Sequence, residues 1–149
     1  MMGANNVILR NAEIFSPAPL GRMDVLVCGH RVAALASELP TLPAEIPHQE
    51  VDLDGLILIP GLLDAHVHVT GGGGEAGPET RVPPVVLSQF TTAGVTTCVG
   101  VLGTDGTTRT MRDLVATTLG LRAHGLSAYC YTGSYQLPVT TLMGSVRDD

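Results

Sequence analysis

The sequence predicts an α/β protein in two parts: a small all-β unit over residues 1–58, then strands alternating with helices over residues 59–149. Three observations carry this. The first part consists of short strand-like runs broken by turns and prolines, with no helical period. The second changes rhythm to strand, helix, strand, helix, strand, which implies parallel strands joined by right-handed crossovers. The run Leu58-Ile-Pro-Gly-Leu-Leu-Asp-Ala-His66-Val-His68 ends a strand on two imidazoles two residues apart. Side chains alternate along a strand, so His66 and His68 share a face, with their backbones about 7 Å apart.

Along the first part, Val7-Ile-Leu9, Asp24-Val-Leu-Val-Cys28 and Arg31-Val-Ala-Ala-Leu35 read as strands, and Gly29-His30 has the composition of a tight hairpin turn. Pro40, Pro43 and Pro47 make residues 39–47 a loop or an edge, and Glu50-Val-Asp-Leu-Asp-Gly55 leads into a further strand. In the second part, Pro83-Pro84 marks a helix start, Val86, Leu87 and Phe90 give its apolar face, and Gly94 closes it. Val95-Thr-Thr-Cys-Val99 is a β-branched strand. A second helix carries Met111, Leu114, Val115, Thr118 and Leu119 at helical spacing, ending near Arg122, His124 and Gly125. Ser127 to Tyr131 is a third strand.

Neutral imidazole is a good zinc ligand, and two ligands from one strand leave the remaining ones to other strands. Asp64 continues the histidine face and reads as a supporting partner, while Leu63, Ala65, Val67 and Val69 make the opposite face apolar. Metal ligands at a strand's C-terminal end fit a (β/α)8 TIM barrel, which builds its active site there. Such a barrel needs about 250 residues, so residues 59–149 hold only its first units, and the chain reads as the N-terminal part of a longer protein.

Composition narrows the partners. Net charge is −6, with eight arginines, no lysine and no basic cluster, so nucleic acid is not an expected partner. No run approaches the roughly 20 apolar residues of a membrane span, and Met1-Met-Gly-Ala-Asn-Asn6 lacks a basic start before an apolar core; the expected location is the cytoplasm. Cys28, Cys98 and Cys130 are odd in number and widely spaced, which suits buried thiols better than disulfides. Gly72, Gly74 and Gly77 match Gly-x-Gly-x-x-Gly, but Pro78 follows the third glycine and no acid closes the second strand, so a dinucleotide site is not expected. The glycines instead allow a close backbone approach to a substrate and carry Glu75, the lone carboxylate of Gly71 to Gly77.

The stretches Asp24-Val-Leu-Val, Gly29 to Leu35 and Leu58 to His68 resemble the amidohydrolase superfamily. The runs Gly71-Gly-Gly-Gly-Glu-Ala-Gly-Pro-Glu-Thr-Arg81, Leu102-Gly-Thr-Asp105, Tyr131-Thr-Gly-Ser-Tyr135 and Gly144-Ser-Val146 resemble its isoaspartyl (β-aspartyl) dipeptidase family. The resemblance implies a β-sandwich for the small unit and a metal-dependent barrel after it. It implies zinc-dependent hydrolysis of the isopeptide bond of β-aspartyl dipeptides, with His66 and His68 on the more buried zinc of a binuclear pair. Glu75 would then receive the substrate's α-ammonium, Gly73 and Thr104 would lie near its α-carboxylate, and Tyr135 would stabilise the reacting carbonyl as a catalytic group. A homo-oligomer is expected of the complete enzyme. The family's bridging carboxylated lysine, two further histidines, catalytic aspartate and leaving-group arginines have no counterpart in this chain, which alone is expected to be inactive. Two other readings are a hydrolase of cyclic amides, like dihydropyrimidinase or dihydroorotase, and a truncated non-catalytic copy. Glu75 argues against the first, because a cyclic amide offers no free α-ammonium.

Overall fold

The hairpin expected at Gly29-His30 joins two strands of a five-stranded sheet in a computed structural model that describes residues 6–149. The reading of Met1 to Asn5 lies outside the described residues. The chain divides into two compact units, Met1–Pro60 and Gly61–Asp149.

In the first unit β1 (Asn6–Phe15), β2 (Pro19–Cys28) and β3 (Arg31–Ala36) form an antiparallel meander, and β4 (Gln49–Asp52) and β5 (Ile57–Leu58) both pair with β1 in parallel. Ile8, Ala12, Ile14 and Val25 are buried. β1 runs well past the Val7 to Leu9 expected from its apolar core, because a bulge between Leu9 and Ala12 lets it continue with changed register. At the bulge Asn11 takes φ +57°. Asp24 accepts a hydrogen bond from the Asn11 amide at 3.0 Å, and Asn11 Nδ2 donates to Asp52 Oδ1 at 3.0 Å, fixing that uncommon conformation.

Asp24 is the hub of this unit. It is 5% exposed, accepts from Leu39 N at 3.0 Å and from Arg10 Nη1 at 2.8 Å, and Arg10 grips Glu50 with Nε and Nη2 at 3.0 and 2.9 Å. These donors, led by the Leu39 amide and the Arg10 guanidinium, pull its carboxyl down to about 2.

In the second unit β6 (Leu62–Val67), β7 (Val95–Gly100) and β8 (Ser127–Cys130) form a parallel sheet in sequence order, with α1 (Leu87–Thr92) between β6 and β7 and α2 (Met111–Ala123) between β7 and β8. This is the strand and helix alternation that the sequence predicts, seen as three strands and two helices. α1 starts at Leu87, three residues after Pro84. Val86 is still extended, and its amide is held by the Gln89 side chain at 2.9 Å, so the prolines end the preceding loop and do not open the helix. α2 is capped by Thr110, whose hydroxyl accepts from Asp113 N at 3.2 Å, and Gly125, two residues past its last turn at φ +95°, turns the chain away. Its buried residues are Met111, Leu114, Thr118 and Leu121. Leu119 is exposed, since one residue past Thr118 turns about 100° off the buried stripe. Met111, Leu114 and Leu121 pack with Val67, Val69, Phe90, Cys98, Leu102 and Ala128 into one core. Cys98 is buried, whereas Cys28 and Cys130 are only half-buried; all three are free thiols.

Candidate functional site

The expected site residues of the second unit lie at or beyond the C-terminal ends of parallel strands. His66 is the penultimate residue of β6 and His68 directly follows it, Gly73 and Glu75 lie in the loop after it, Thr104 follows β7 and Tyr135 follows β8. Parallel strands point the same way, so loops separated by 30 residues of sequence gather at one end of the sheet.

β6 is not the regular strand that strict alternation suggests. Its pairing with β7 slips between Leu62 and Leu63 and again between Asp64 and Val67. At the second irregularity Asp64 Oδ1 accepts from His66 N at 3.1 Å, so the carboxylate braces the backbone that carries the first histidine. The two imidazoles meet edge to face, with ring centroids 5.3 Å apart.

His68 Nδ1 is buried and has no hydrogen-bond partner. It faces Gly103, where a β carbon would stand 2.6 Å away. Burial lowers the affinity of His68 for a proton, and His66 and Arg109 push the same way against a smaller opposing effect of Glu75, so the ring is held toward the neutral form that binds metals. An orphaned ring nitrogen in a cradle that a β carbon would fill fits a ligand of a metal ion. The fit is to part of a site, because among the described residues no group of three or more His, Cys, Asp or Glu side chains stands close enough to hold an ion.

The two histidines, Leu102, Gly103, Thr104, Ser134 and Tyr135 are among the lining of a cavity of about 390 Å³. Tyr135 is 73% exposed on its rim. Glu75 is tied to this cavity through Thr104, whose Oγ1 donates to Glu75 Oε2 at 3.0 Å. That bond and the amide of Glu75 itself, the larger influence, hold its carboxyl below the usual range, so it is a carboxylate at neutral pH. The Thr104 hydroxyl has one proton, which here serves Glu75 and is not free for a substrate carboxylate.

Sequence reasoning missed Arg109. It is 4% exposed, and its Nη1 and Nη2 donate to the carbonyls of Gly73 and Gly72 at 2.9 and 2.8 Å. Asp105 Oδ2 lies 3.8 Å from Nη1. An arginine in a threonine-rich turn looks solvated in sequence, and only the absence of side chains at its glycine partners hints at the close approach.

Among solved structures, this chain resembles parts of known enzymes. The whole chain superposes on 38% of a β-aspartyl dipeptidase from Fervidobacterium islandicum AW-1, in complex with β-Asp-Leu dipeptide, at 44% identity and a TM-score of 0.93. Curated sequence relatives include a dihydroorotase from Syntrophus aciditrophicus, 34% identical over 46% of this chain and 16% of its own length. An allantoinase from Deinococcus radiodurans is 35% identical over 46% of this chain and 14% of its own length. N-isopropylammelide isopropylaminohydrolase from Burkholderia multivorans shares the fold over 88% of this chain and 39% of its own, at 18% identity and a TM-score of 0.61. No family model matches. The chain therefore spans less than two fifths of the solved dipeptidase and about a sixth of these curated relatives.

Proposed function

We propose, from a likeness to β-aspartyl dipeptidase that runs the length of the chain, that these residues are the N-terminal part of a zinc-dependent enzyme that hydrolyses the isopeptide bond of β-aspartyl dipeptides. The observation that carries the reading is the Glu75 and Thr104 pair beside a cavity lined by His66 and His68. An anion held ready in a glycine-rich loop next to an incomplete metal site suits a substrate with a free α-ammonium close to its scissile carbonyl. The small unit would complete as a β-sandwich and the three parallel strands as an eight-stranded barrel, in a cytoplasmic homo-oligomer.

In this reading Glu75 accepts hydrogen bonds from the α-ammonium, with Thr104 fixing which oxygen it presents. The Gly73 amide donates to the α-carboxylate. Together they hold both charged groups of the aspartyl α-carbon and leave its side-chain carbonyl as the group that faces the cavity. Tyr135, on the rim, donates its phenolic proton to the oxyanion that develops there. His66 and His68 would be zinc ligands, and bound zinc would supply Lewis acidity and lower the pKa of water.

The curated dihydroorotase and allantoinase relatives favour a second reading, hydrolysis of a cyclic amide. One experiment separates the two. The complete gene product, loaded with zinc, is assayed on β-Asp-Leu and on dihydroorotate and allantoin, before and after chelation. Turnover of β-Asp-Leu that chelation abolishes and zinc restores is expected. Turnover of the cyclic amides alone would replace this reading with the second, and no turnover of any would support a non-catalytic copy.

A further inference from the structure

Arg109 presents a problem of energetics. A guanidinium 4% exposed has given up most of its hydration, its nearest carboxylate is 3.8 Å away, and its buried Nε has no partner. What it does have is two backbone carbonyls, those of Gly72 and Gly73, 37 and 36 residues earlier in the chain. A buried charge that stabilised the fold alone would be better served by a close ion pair. Its placement is explained by what the two carbonyls control.

A peptide group is planar and trans, so its C=O and the following N–H point in opposite directions. Fixing the Gly72 carbonyl therefore fixes the direction of the Gly73 amide. Two donors do this together, Arg109 Nη2 at 2.8 Å and Val82 N at 2.9 Å. Fixing the Gly73 carbonyl likewise fixes the Gly74 amide, which donates to Thr80 Oγ1 at 3.2 Å. Arg109 thus clamps two successive peptide planes in a stretch where four consecutive glycines would otherwise rotate freely. The glycines are needed for the clamp. A β carbon on Gly71 would stand 3.3 Å from Arg109 Nη2, and one on Gly73, at φ +62°, would run into the Thr80 carbonyl. A positive charge on the carbonyl side also polarises the peptide, which makes the Gly73 N–H a stronger donor to an anion.

We infer that Arg109 is a positioning residue for recognition of the substrate's α-carboxylate: by clamping the Gly72 and Gly73 carbonyls it aims and polarises the Gly73 amide. This rests on the dipeptidase reading above and adds a residue to it. Arg109 does not touch substrate; it acts through the backbone.

The test compares two substrates in the complete zinc-loaded enzyme, β-Asp-Leu and the same dipeptide with the α-carboxylate of its aspartyl residue converted to the carboxamide. The wild type should prefer the acid. Arg109→Met should raise KM for the acid and shrink the acid-to-amide ratio of kcat/KM by about tenfold, with the amide little affected. Arg109→Lys keeps the buried cation but reaches one carbonyl, so the ratio should fall by about threefold; this variant carries the test should the methionine variant not fold. A ratio unchanged in the lysine variant, or acid and amide falling in parallel in both variants, would assign Arg109 to the fold alone. A wild type with no preference for the acid would overturn the inference while leaving the dipeptidase reading intact. A wild type inactive on both would overturn the two together.

Discussion

Thr104 Oγ1 donates to Glu75 Oε2 across 3.0 Å, joining the loop after β6 to the loop after β7. The bond ties Glu75, the ammonium acceptor of the proposed function, to a cavity wall. Glu75→Gln in the complete enzyme should therefore cut kcat/KM on β-aspartyl dipeptides by about tenfold or more, since a charge-assisted bond to an ammonium is worth roughly 1.5 to 3 kcal/mol. Zinc content should be unchanged. Thr104→Val, which leaves the carboxylate but frees it to turn, should have a smaller effect, and the two losses should not add, because they act on one contact. Additive losses in the double variant would separate the two residues.

Gly103 is the second point of leverage. A β carbon there would stand 2.6 Å from His68 Nδ1, and the residue sits at φ +80°. Gly103→Ala should displace the imidazole and weaken zinc binding by about tenfold or more, the usual scale for disturbing a group that orients a metal ligand. Gly125→Ala is the control: it also has a positive φ, +95°, but faces open space, so it should lower stability through backbone strain and leave zinc affinity alone. Chelator competition on the three proteins reads the difference, and equal zinc affinities would remove Gly103 from the site.

Residues whose roles follow from chain-local rules were legible in the sequence. Gly29-His30 turns the β2–β3 hairpin, and the order of strands and helices after Gly61 follows from apolar runs and breakers. His66 and His68 are visible because a strand's period places them together, and the structure brings their rings within 5.3 Å. Thr104 and Tyr135 were reachable only through family resemblance, since nothing in their spacing marks them. What the sequence conceals are pairings of side chains with distant backbone: Asp24 with the Asn11 amide at the β1 bulge, and Arg109 with carbonyls 36 and 37 residues away. A carbonyl has no residue identity, so such a partner leaves no trace in a pattern of side chains.

Asp24 makes the small unit sensitive to acid. Its folded carboxyl, held at about 2 by the Leu39 amide, Arg10 and the Asn11 amide, lies below its ordinary 3.8. A depressed carboxylate stabilises the fold fully above 3.8, and that contribution fades as pH falls toward 2. Asp24→Asn should lower stability at pH 6 by about 2 kcal/mol or more, because it faces three donors with an amide and leaves Arg10 short of a partner. Urea unfolding of both proteins from pH 6 to 2 should show the gap narrowing only below about pH 4. A gap independent of pH would mean that the carboxylate's charge is not what Asp24 contributes.

The proposed pairing of His66 and His68 on a metal gives the last expectation. Structural zinc sites reach apparent binding energies of about 10 to 16 kcal/mol with four protein ligands. His66 and His68 are two, and no third His, Cys, Asp or Glu among the described residues joins them. The 149-residue chain should therefore bind zinc weakly, and Asp64 should not make up the deficit, since its Oδ1 is already engaged with His66 N at 3.1 Å. Titration with zinc against a chelator indicator should give a dissociation constant orders of magnitude above that of the complete enzyme, abolished in His66→Ala/His68→Ala. On the proposed function, a chain extended to the length of the solved dipeptidase should bind zinc more tightly and hydrolyse β-Asp-Leu. Tight stoichiometric binding of two zinc ions by the 149 residues alone would show that the chain already holds a whole centre, and would overturn the division of ligands between this chain and later strands.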